Sequence, residues 1–364
     1  MAAIKISIED FLKKKIHAPV LDVRSPLEYK HAHIPGAYTL PLFTDAERVV
    51  VGTTYKQQSR QSAIKYGLDF FGLKMRKMVE EAEQIINNQS FLASTTESDN
   101  SSKRQVLVHC WRGGMRSAAV AWLLDLYGYE VYVLEGGYKS FRRWALHQFE
   151  KTYPIKLLGG YTGSGKTKVL KALKDRGESI VDLENLAEHK GSAFGNLGMP
   201  GQPSQEHFEN KLALSLYESS AHIMDTKGSC NCLWIEDESQ RIGDVNIPIS
   251  FWNQMRTNNI MFLDIPFEER LHYIVEEYGH FEKERLVNAV IRIKKRLGGL
   301  ETKEAIHALI EDRTEECFRI LLRYYDKWYE KGLYKRERVE QLLHKISCES
   351  VTGLNAEKLI KPNA

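Results

Sequence analysis

Eight residues, Gly160-Tyr161-Thr162-Gly163-Ser164-Gly165-Lys166-Thr167, constrain the fold of this chain more than any other stretch. They follow an apolar run, Ile155-Lys156-Leu157-Leu158, and precede a helical stretch from Val169 to Arg176. A glycine-rich turn between a strand and a helix is a phosphate cradle of the Walker A type. Backbone N–H groups of Gly160, Thr162, Gly163, Ser164 and Gly165 wrap the anion, Lys166 bridges its oxygens, and the Thr167 hydroxyl is available to Mg²⁺. The pattern reads phosphates and nothing beyond them, so ATP, GTP and a prenyl diphosphate satisfy it equally. Glu236 and Asp237, after the apolar run Leu233-Trp234-Ile235, are candidates for an acid partner, as is Asp264. Acids also end strands at the solvent edge, and that reading stays open.

A second anion-binding loop lies upstream, His109-Cys110-Trp111-Arg112-Gly113-Gly114-Met115-Arg116-Ser117. A cysteine at the end of a strand, then glycines, then a helix puts a thiol among converging N–H groups at a positive helix terminus. Both effects lower the thiol pKa. Arg112 and Arg116 add charge and can clamp an incoming oxyanion. Gly113 and Gly114 allow the backbone angles the loop needs. A buried core cysteine is the plain alternative for Cys110.

Around these loops the sequence alternates strand and helix patterns, which predicts an α/β protein with parallel sheets. Strands are expected at 18–23, 105–109 and 129–134, with a helix over 116–127. A second set is expected at 155–158, 179–183, 232–236 and 260–265. The expected organisation is a parallel-sheet domain over 1–149, with an insertion at about 43–104, then a P-loop NTPase-like α/β domain over 150–275. A helical C-terminal region, 276–364, completes it, the pattern being helical from about Phe267 onward. The insertion carries one clear helix, 75–87, and ends in a polar stretch, 94–103. No apolar run of the 364 residues is long enough to span a bilayer,, and a cytoplasmic location is the expectation. The net charge of +3 neither demands nor forbids a nucleic-acid partner,. Cys230 and Cys232 form a C-x-C pair with no second pair to complete a zinc site, so no metal centre is expected there,.

Asp22-Val23-Arg24-Ser25-Pro26-Leu27-Glu28-Tyr29, His33-Ile34-Pro35-Gly36-Ala37 and Leu134-Glu135-Gly136-Gly137-Tyr138 resemble the signatures of rhodanese domains. Cys110 falls where such domains carry a persulfide-forming cysteine. Many of them have the loop C-x-x-G-x-R-S. Here it is C-x-x-G-x-x-R-S, one residue longer, as in members of the superfamily that handle arsenate or phosphate. The longer loop is expected to fit a tetrahedral oxyanion such as selenophosphate or thiosulfate.

Taken with the phosphate loop, five further stretches resemble one family, the bacterial tRNA 2-selenouridine synthases, in which a rhodanese domain precedes a P-loop domain. They are Cys110 to Ser117, His189 to Gly195, Gln202 to Gln205, Glu236 to Ser239, and Val51 to Gln57 in the insertion. The resemblance implies that sulfur of a wobble 2-thiouridine in tRNA is replaced by selenium from selenophosphate. It also implies an S-geranylated intermediate made with geranyl diphosphate, the phosphate loop holding the diphosphate and Cys110 carrying or activating selenium. A selenophosphate-supplying enzyme is then an expected partner. The tRNA anticodon stem-loop is expected at Arg292, Lys294, Lys295 and Arg296. Beyond them lie the interleaved basic and aromatic residues Arg319, Arg323, Tyr324, Tyr325, Lys327, Trp328, Tyr329 and Lys331, and then Lys335, Arg336 and Arg338,. For each of these residues singly, an ordinary amphipathic helix is the competing reading. Competing functions are a sulfurtransferase or cysteine-dependent phosphatase fused to a P-loop ATPase or kinase, and a non-catalytic tRNA-binding protein.

Overall fold

The computed structural model describes residues 3–87, 104–225 and 231–360. The polar stretch 94–103 and Cys230 lie outside them. The chain divides into two compact units, Met1–His147 and Gln148–Ala364. Among the described residues no helix is long and apolar enough to cross a membrane.

The first unit is built on five strands, β1 (Ile4–Ile6), β2 (Val20–Asp22), β3 (Tyr38–Thr39), β4 (Gln105–His109) and β5 (Glu130–Leu134). They pair in the order β1-β5-β4-β2-β3, every pair parallel. β2, β4 and β5 are nearly continuous apolar runs because helices cover both faces of a parallel sheet. The helices are α1 (Ile8–Lys14), α2 (Pro26–His31), α3 (Asp45–Gln57), α4 (Arg60–Gly72), α5 (Met75–Asn87), α6 (Met115–Tyr127) and α7 (Gly137–Gln148). Local chemistry sets their starts. Ser25 with Glu28 and Thr44 with Glu47 form reciprocal capping boxes at α2 and α3,. Gly128, in the left-handed region, ends α6,. Among its described residues the insertion holds three helices where the pattern announced only the last. α5 sends Met78, Ala82 and Ile86 into the core shared with Phe71 and Val120.

The second unit repeats the plan with β6 (Ile155–Gly160), β7 (Ser179–Val181), β8 (Leu233–Glu236), β11 (Ile260–Asp264) and β12 (Leu343–Ser347), in the order β12-β11-β6-β8-β7, all parallel. A small antiparallel ribbon, β9 (Arg241–Ile242) and β10 (Val245–Asn246), stands apart. Helices α8 (Lys166–Asp175), α9 (Leu183–Ala187), α10 (Gln205–Asp225) and α11 (Ile249–Arg256) join the strands. The C-terminal part adds α12 (Phe267–Tyr278), α13 (Lys283–Arg292), α14 (Lys294–Leu297), α15 (Gly299–Ile310), α16 (Thr314–Leu333), α17 (Val339–Leu342) and α18 (Ala356–Ile360).

One expectation is corrected here. The chain is not helical to its end, because Leu343–Ser347 adds a parallel edge strand to β11, in register from Ile260 to Asp264. The edge strand has only two apolar residues and no buried position, so its main chain holds it and no apolar run announces it,. The helical run is interrupted at Ile293, between α13 and α14.

α16 ties the helical layer to the phosphate loop through an ion pair. Arg270 on α12, its side chain 4% exposed, donates two hydrogen bonds to Asp326, at 2.9 and 2.7 Å. It also donates to the carbonyls of Ile265 at 3.2 Å and Thr162 at 3.1 Å. Removing one partner of such a pair leaves a buried charge unmatched. Asp326→Ala is therefore expected to cost about 3 kcal/mol, read as a lowered urea midpoint for the full chain.

Candidate functional site

Cys110 follows β4, the middle strand of its sheet, and is 3% exposed. Its Sγ lies 3.2 Å from the Ser117 hydroxyl, which is also 3.0 Å from the Gly114 carbonyl. Burial pushes the thiol pKa up. The Ser117 hydroxyl, the N–H groups of Arg112 and Ser117, and the charge of Arg116 outweigh it, and the thiol ends below its ordinary value,. Arg116 is shared with Glu28, which it meets at 2.8 Å and which Arg48 also meets at 3.0 Å. Arg112 is exposed, as are Gly114 and Met115, the latter 49%.

The loop leans on the start of α7. Tyr138 N–H donates to the Cys110 carbonyl at 2.8 Å and Lys139 N–H to that of Trp111 at 3.0 Å. Gly113 and Gly137 both have positive φ, and a Cβ at Gly137 would overlap the Cys110 carbonyl,. Behind the loop, Arg24 is locked on Asp22 and lies 3.9 Å over the Tyr138 ring, on which Trp111 packs. The arginine signature therefore props the floor of the loop. His109 is fully buried, and burial lowers its pKa to about 4, so it stays neutral and is no acid–base partner near neutral pH,.

The phosphate loop follows β6, also a middle strand, and enters α8 at Gly165. Gly160, Gly163 and Gly165 all take positive φ in close quarters, with the place of a Gly163 Cβ 2.8 Å from Ile274. Ser164 is buried in the turn. Lys166 sits 3.5 Å from the Gly160 carbonyl and 3.8 Å from Glu238. Burial works against its charge, but Glu238, Glu184 and Glu236 overcome that and raise its pKa, so it stays an ammonium.

The Thr167 hydroxyl is 3.4 Å from both Glu184 and Glu236, and the second oxygen of Glu236 accepts the Glu184 N–H at 3.1 Å. Burial and the charge of Glu238 push Glu184 up to about 8, and burial with Glu184 pushes Glu236 well above the carboxylate range,. These acids hold protons that an arriving cation would release. Among the described residues no cluster of three or more His, Cys, Asp or Glu is arranged to hold a metal by itself. Mg²⁺ commonly keeps water and phosphate oxygens as ligands, and the Thr167 hydroxyl beside two acids suits that mode.

Of the three candidate acids, Glu236 faces Thr167, Asp264 is exposed at the end of β11, and Asp237 turns elsewhere. It accepts from the Tyr329 hydroxyl at 2.9 Å and from Arg336. The Tyr329 oxygen in turn accepts the Gly160 N–H at 3.4 Å. These groups line a cavity of about 1370 Å³ whose wall also includes Arg296, Tyr324 and Trp328. Arg292, Lys294, Lys295 and Arg296 are all exposed. Arg292 donates to Asn196 at 3.0 Å, and Arg296 hydrogen-bonds Tyr324.

The expected RNA stretch divides in two. Arg323, Lys327, Trp328, Lys331, Lys335 and Arg338 face solvent, whereas Tyr329 and Arg336 turn inward to Asp237 and Arg319 is paired with Glu268 and Glu315. Glu184 escaped the sequence reading, having no motif around it. Glu238 was quoted only as part of the stretch Glu236 to Ser239. Ser117→Ala removes the side-chain donor to the thiolate, so alkylation of Cys110 is expected to shift to higher pH, measured as the iodoacetamide rate against pH. An unmoved profile would show that the Ser117 hydroxyl does not hold the thiolate.

Residues 8–143 match the rhodanese-like domain, and residues 153–290 match the tRNA 2-selenouridine synthase AAA domain. The chain is 35% identical over 350 residues to the tRNA 2-selenouridine synthase of Hydrogenovibrio crunogenus, covering 88% of this chain and 90% of that one. To the enzyme of that name from Shewanella oneidensis it is 32% identical over 350 residues, 87% of each chain. To that of Bdellovibrio bacteriovorus it is 31% identical over 362 residues, 87% of this chain and 89% of the other. With that similarity running through both units, the chain belongs to the tRNA 2-selenouridine synthase family.

Proposed function

We propose that this protein replaces the sulfur of a wobble 2-thiouridine in tRNA with selenium, in two steps on one base. In the first, the thiouridine sulfur attacks the allylic carbon of geranyl diphosphate, the carbon–oxygen bond breaks and diphosphate leaves. In the second, the P–Se bond of selenophosphate is cleaved with water taking the phosphoryl group as phosphate, the released selenide attacks C2 of the base, the carbon–sulfur bond breaks and the geranyl thiol departs. The observation that carries this reading is the contrast between the two loops. One holds a depressed thiol among N–H donors, and the other a buried ammonium in a wide cavity.

Lys166 and the N–H groups of the loop suit the departing diphosphate, whose charge grows as the bond breaks. When bound, Mg²⁺ would add a Lewis acid beside the Thr167 hydroxyl. Cys110 suits selenium delivery, because its thiolate can take the phosphoryl group from selenophosphate, releasing selenide, and pass that group to water while the exposed Arg112 guanidinium holds the oxyanion. Arg296, Tyr324 and Trp328 at the cavity wall offer charge and ring faces to an RNA substrate,.

The decisive experiment gives the full chain a thiouridine-containing anticodon stem-loop, geranyl diphosphate and selenophosphate, and reads the nucleoside by mass spectrometry. Lys166→Ala is expected to lower S-geranylation about 100-fold, the loss typical of a missing anion stabiliser. Cys110→Ser is expected to keep S-geranylation and lose selenation. Loss of S-geranylation in Cys110→Ser, unchanged S-geranylation in Lys166→Ala, or ATP hydrolysis in place of S-geranylation, would reject the assignment. Reversing charge at Lys294, Lys295 and Arg296 is expected to weaken stem-loop binding at least about tenfold and to flatten its salt dependence. Unchanged binding would remove that patch from the tRNA surface.

A further inference from the structure

At the Asp237 side of the phosphate cavity one guanidinium group pairs with the Asp237 carboxylate and a second lies within its field. Arg336, between α16 and α17, is 8% exposed and lines the cavity. One of its terminal nitrogens donates to Asp237, but its Nε and Nη1 are buried without an acceptor. The other Asp237 oxygen is taken by the Tyr329 hydroxyl at 2.9 Å. Arg256, the last residue of α11, lines the same cavity and lies 5.0 Å over the Trp252 ring. Among the described residues it makes no hydrogen bond. Burial and the charge of Arg336 both lower its pKa, with Asp237 opposing, which places the two cations within electrostatic reach of each other.

Neighbouring cations that share one acid are short of an anion, and buried donors without acceptors are costly. A guanidinium presents its donors in a planar fork suited to phosphate oxygens. We propose that Arg256 and Arg336 form a second phosphoanion subsite in this cavity, separate from the Gly160–Thr167 loop. Its occupant is a phosphate group, either of a diphosphate ester held by the loop or of the RNA backbone. The subsite is linked to the loop by the path from Arg336 through Asp237 and Tyr329 to the Gly160 N–H. It rests on the reading that the loop binds phosphates, and it does not depend on which ester the loop prefers.

The test is equilibrium binding of inorganic pyrophosphate and of an anticodon stem-loop RNA to the full chain, using Arg256→Ala, Arg336→Lys and Lys166→Ala. Arg256→Ala is expected to weaken one of the two probes about tenfold, as for a lost charge-assisted contact. Weakening of pyrophosphate makes the occupant the diphosphate. Weakening of RNA, with a salt slope smaller by about one unit, makes it the backbone. Arg336→Lys is expected to weaken the same probe, and if that variant does not fold, Arg256→Ala alone decides. Binding of both probes within twofold of the unaltered protein by Arg256→Ala overturns the proposal. Lys166→Ala is the separate check on the loop. If it leaves pyrophosphate binding intact the loop reading fails, whatever Arg256 does.

Discussion

The main-chain N–H groups at the start of a helix, delivered by the middle strand of a parallel sheet, are the constraint on which both halves of this protein depend. Parallel strands point all their carboxyl ends to one edge, so the loop after the central strand meets the fewest obstructions and the most helix termini. β4 delivers Cys110 to α6, and β6 delivers Gly160 to α8. The two sheets place their reactive loops at the same position in a five-strand order. The difference lies in what surrounds the amides. A neutral His109 and the Asp22–Arg24 pair lie beneath the thiol, whereas acidic side chains crowd the ammonium. The same backbone physics thus surrounds a thiol of lowered pKa in one unit and a buried ammonium in the other.

The acids around Lys166 also explain why that clamp needs a ligand to settle. Burial raises the pKa of Glu184, Glu236 and Glu238, the charge of Glu238 adds to it at the other two, and the ammonium relieves them only in part,. A phosphate drawing Lys166 toward itself would leave the acids to a proton or a divalent cation. Cation and anion therefore favour each other in this site, through charge compensation among three carboxylates and one lysine.

Much of this was legible in the sequence, for identifiable reasons. Central parallel strands are continuous apolar runs, so β4, β5, β6, β8 and β11 were readable to within a residue or two. The two loops were readable because glycine, lysine and cysteine at fixed spacing have few other uses. β12 was not, since an edge strand held by its main chain needs no apolar signature. Nor were α3 and α4, whose buried residues are few and scattered. Tyr329 and Arg336 were grouped with the RNA-facing residues because composition does not fix the rotational phase of a helix. Only the fold turns them toward Asp237. Glu184 became a neighbour of Thr167 only through the crossover from β7 to α9.

The late position of β12 in the chain has a consequence for synthesis. The first sheet has all its strands once Leu134 has been made, and its edge strand β1 is waiting from the start. The second sheet lacks its β11 neighbour until Ser347 has emerged, although β6 was made long before. Chains grow from the N-terminus, and pairings distant in sequence form slowly. The thiol-bearing unit is thus complete on the ribosome while the phosphate loop still hangs from an open sheet. The two sheets are completed in sequence, and the second closes only with Leu343–Ser347.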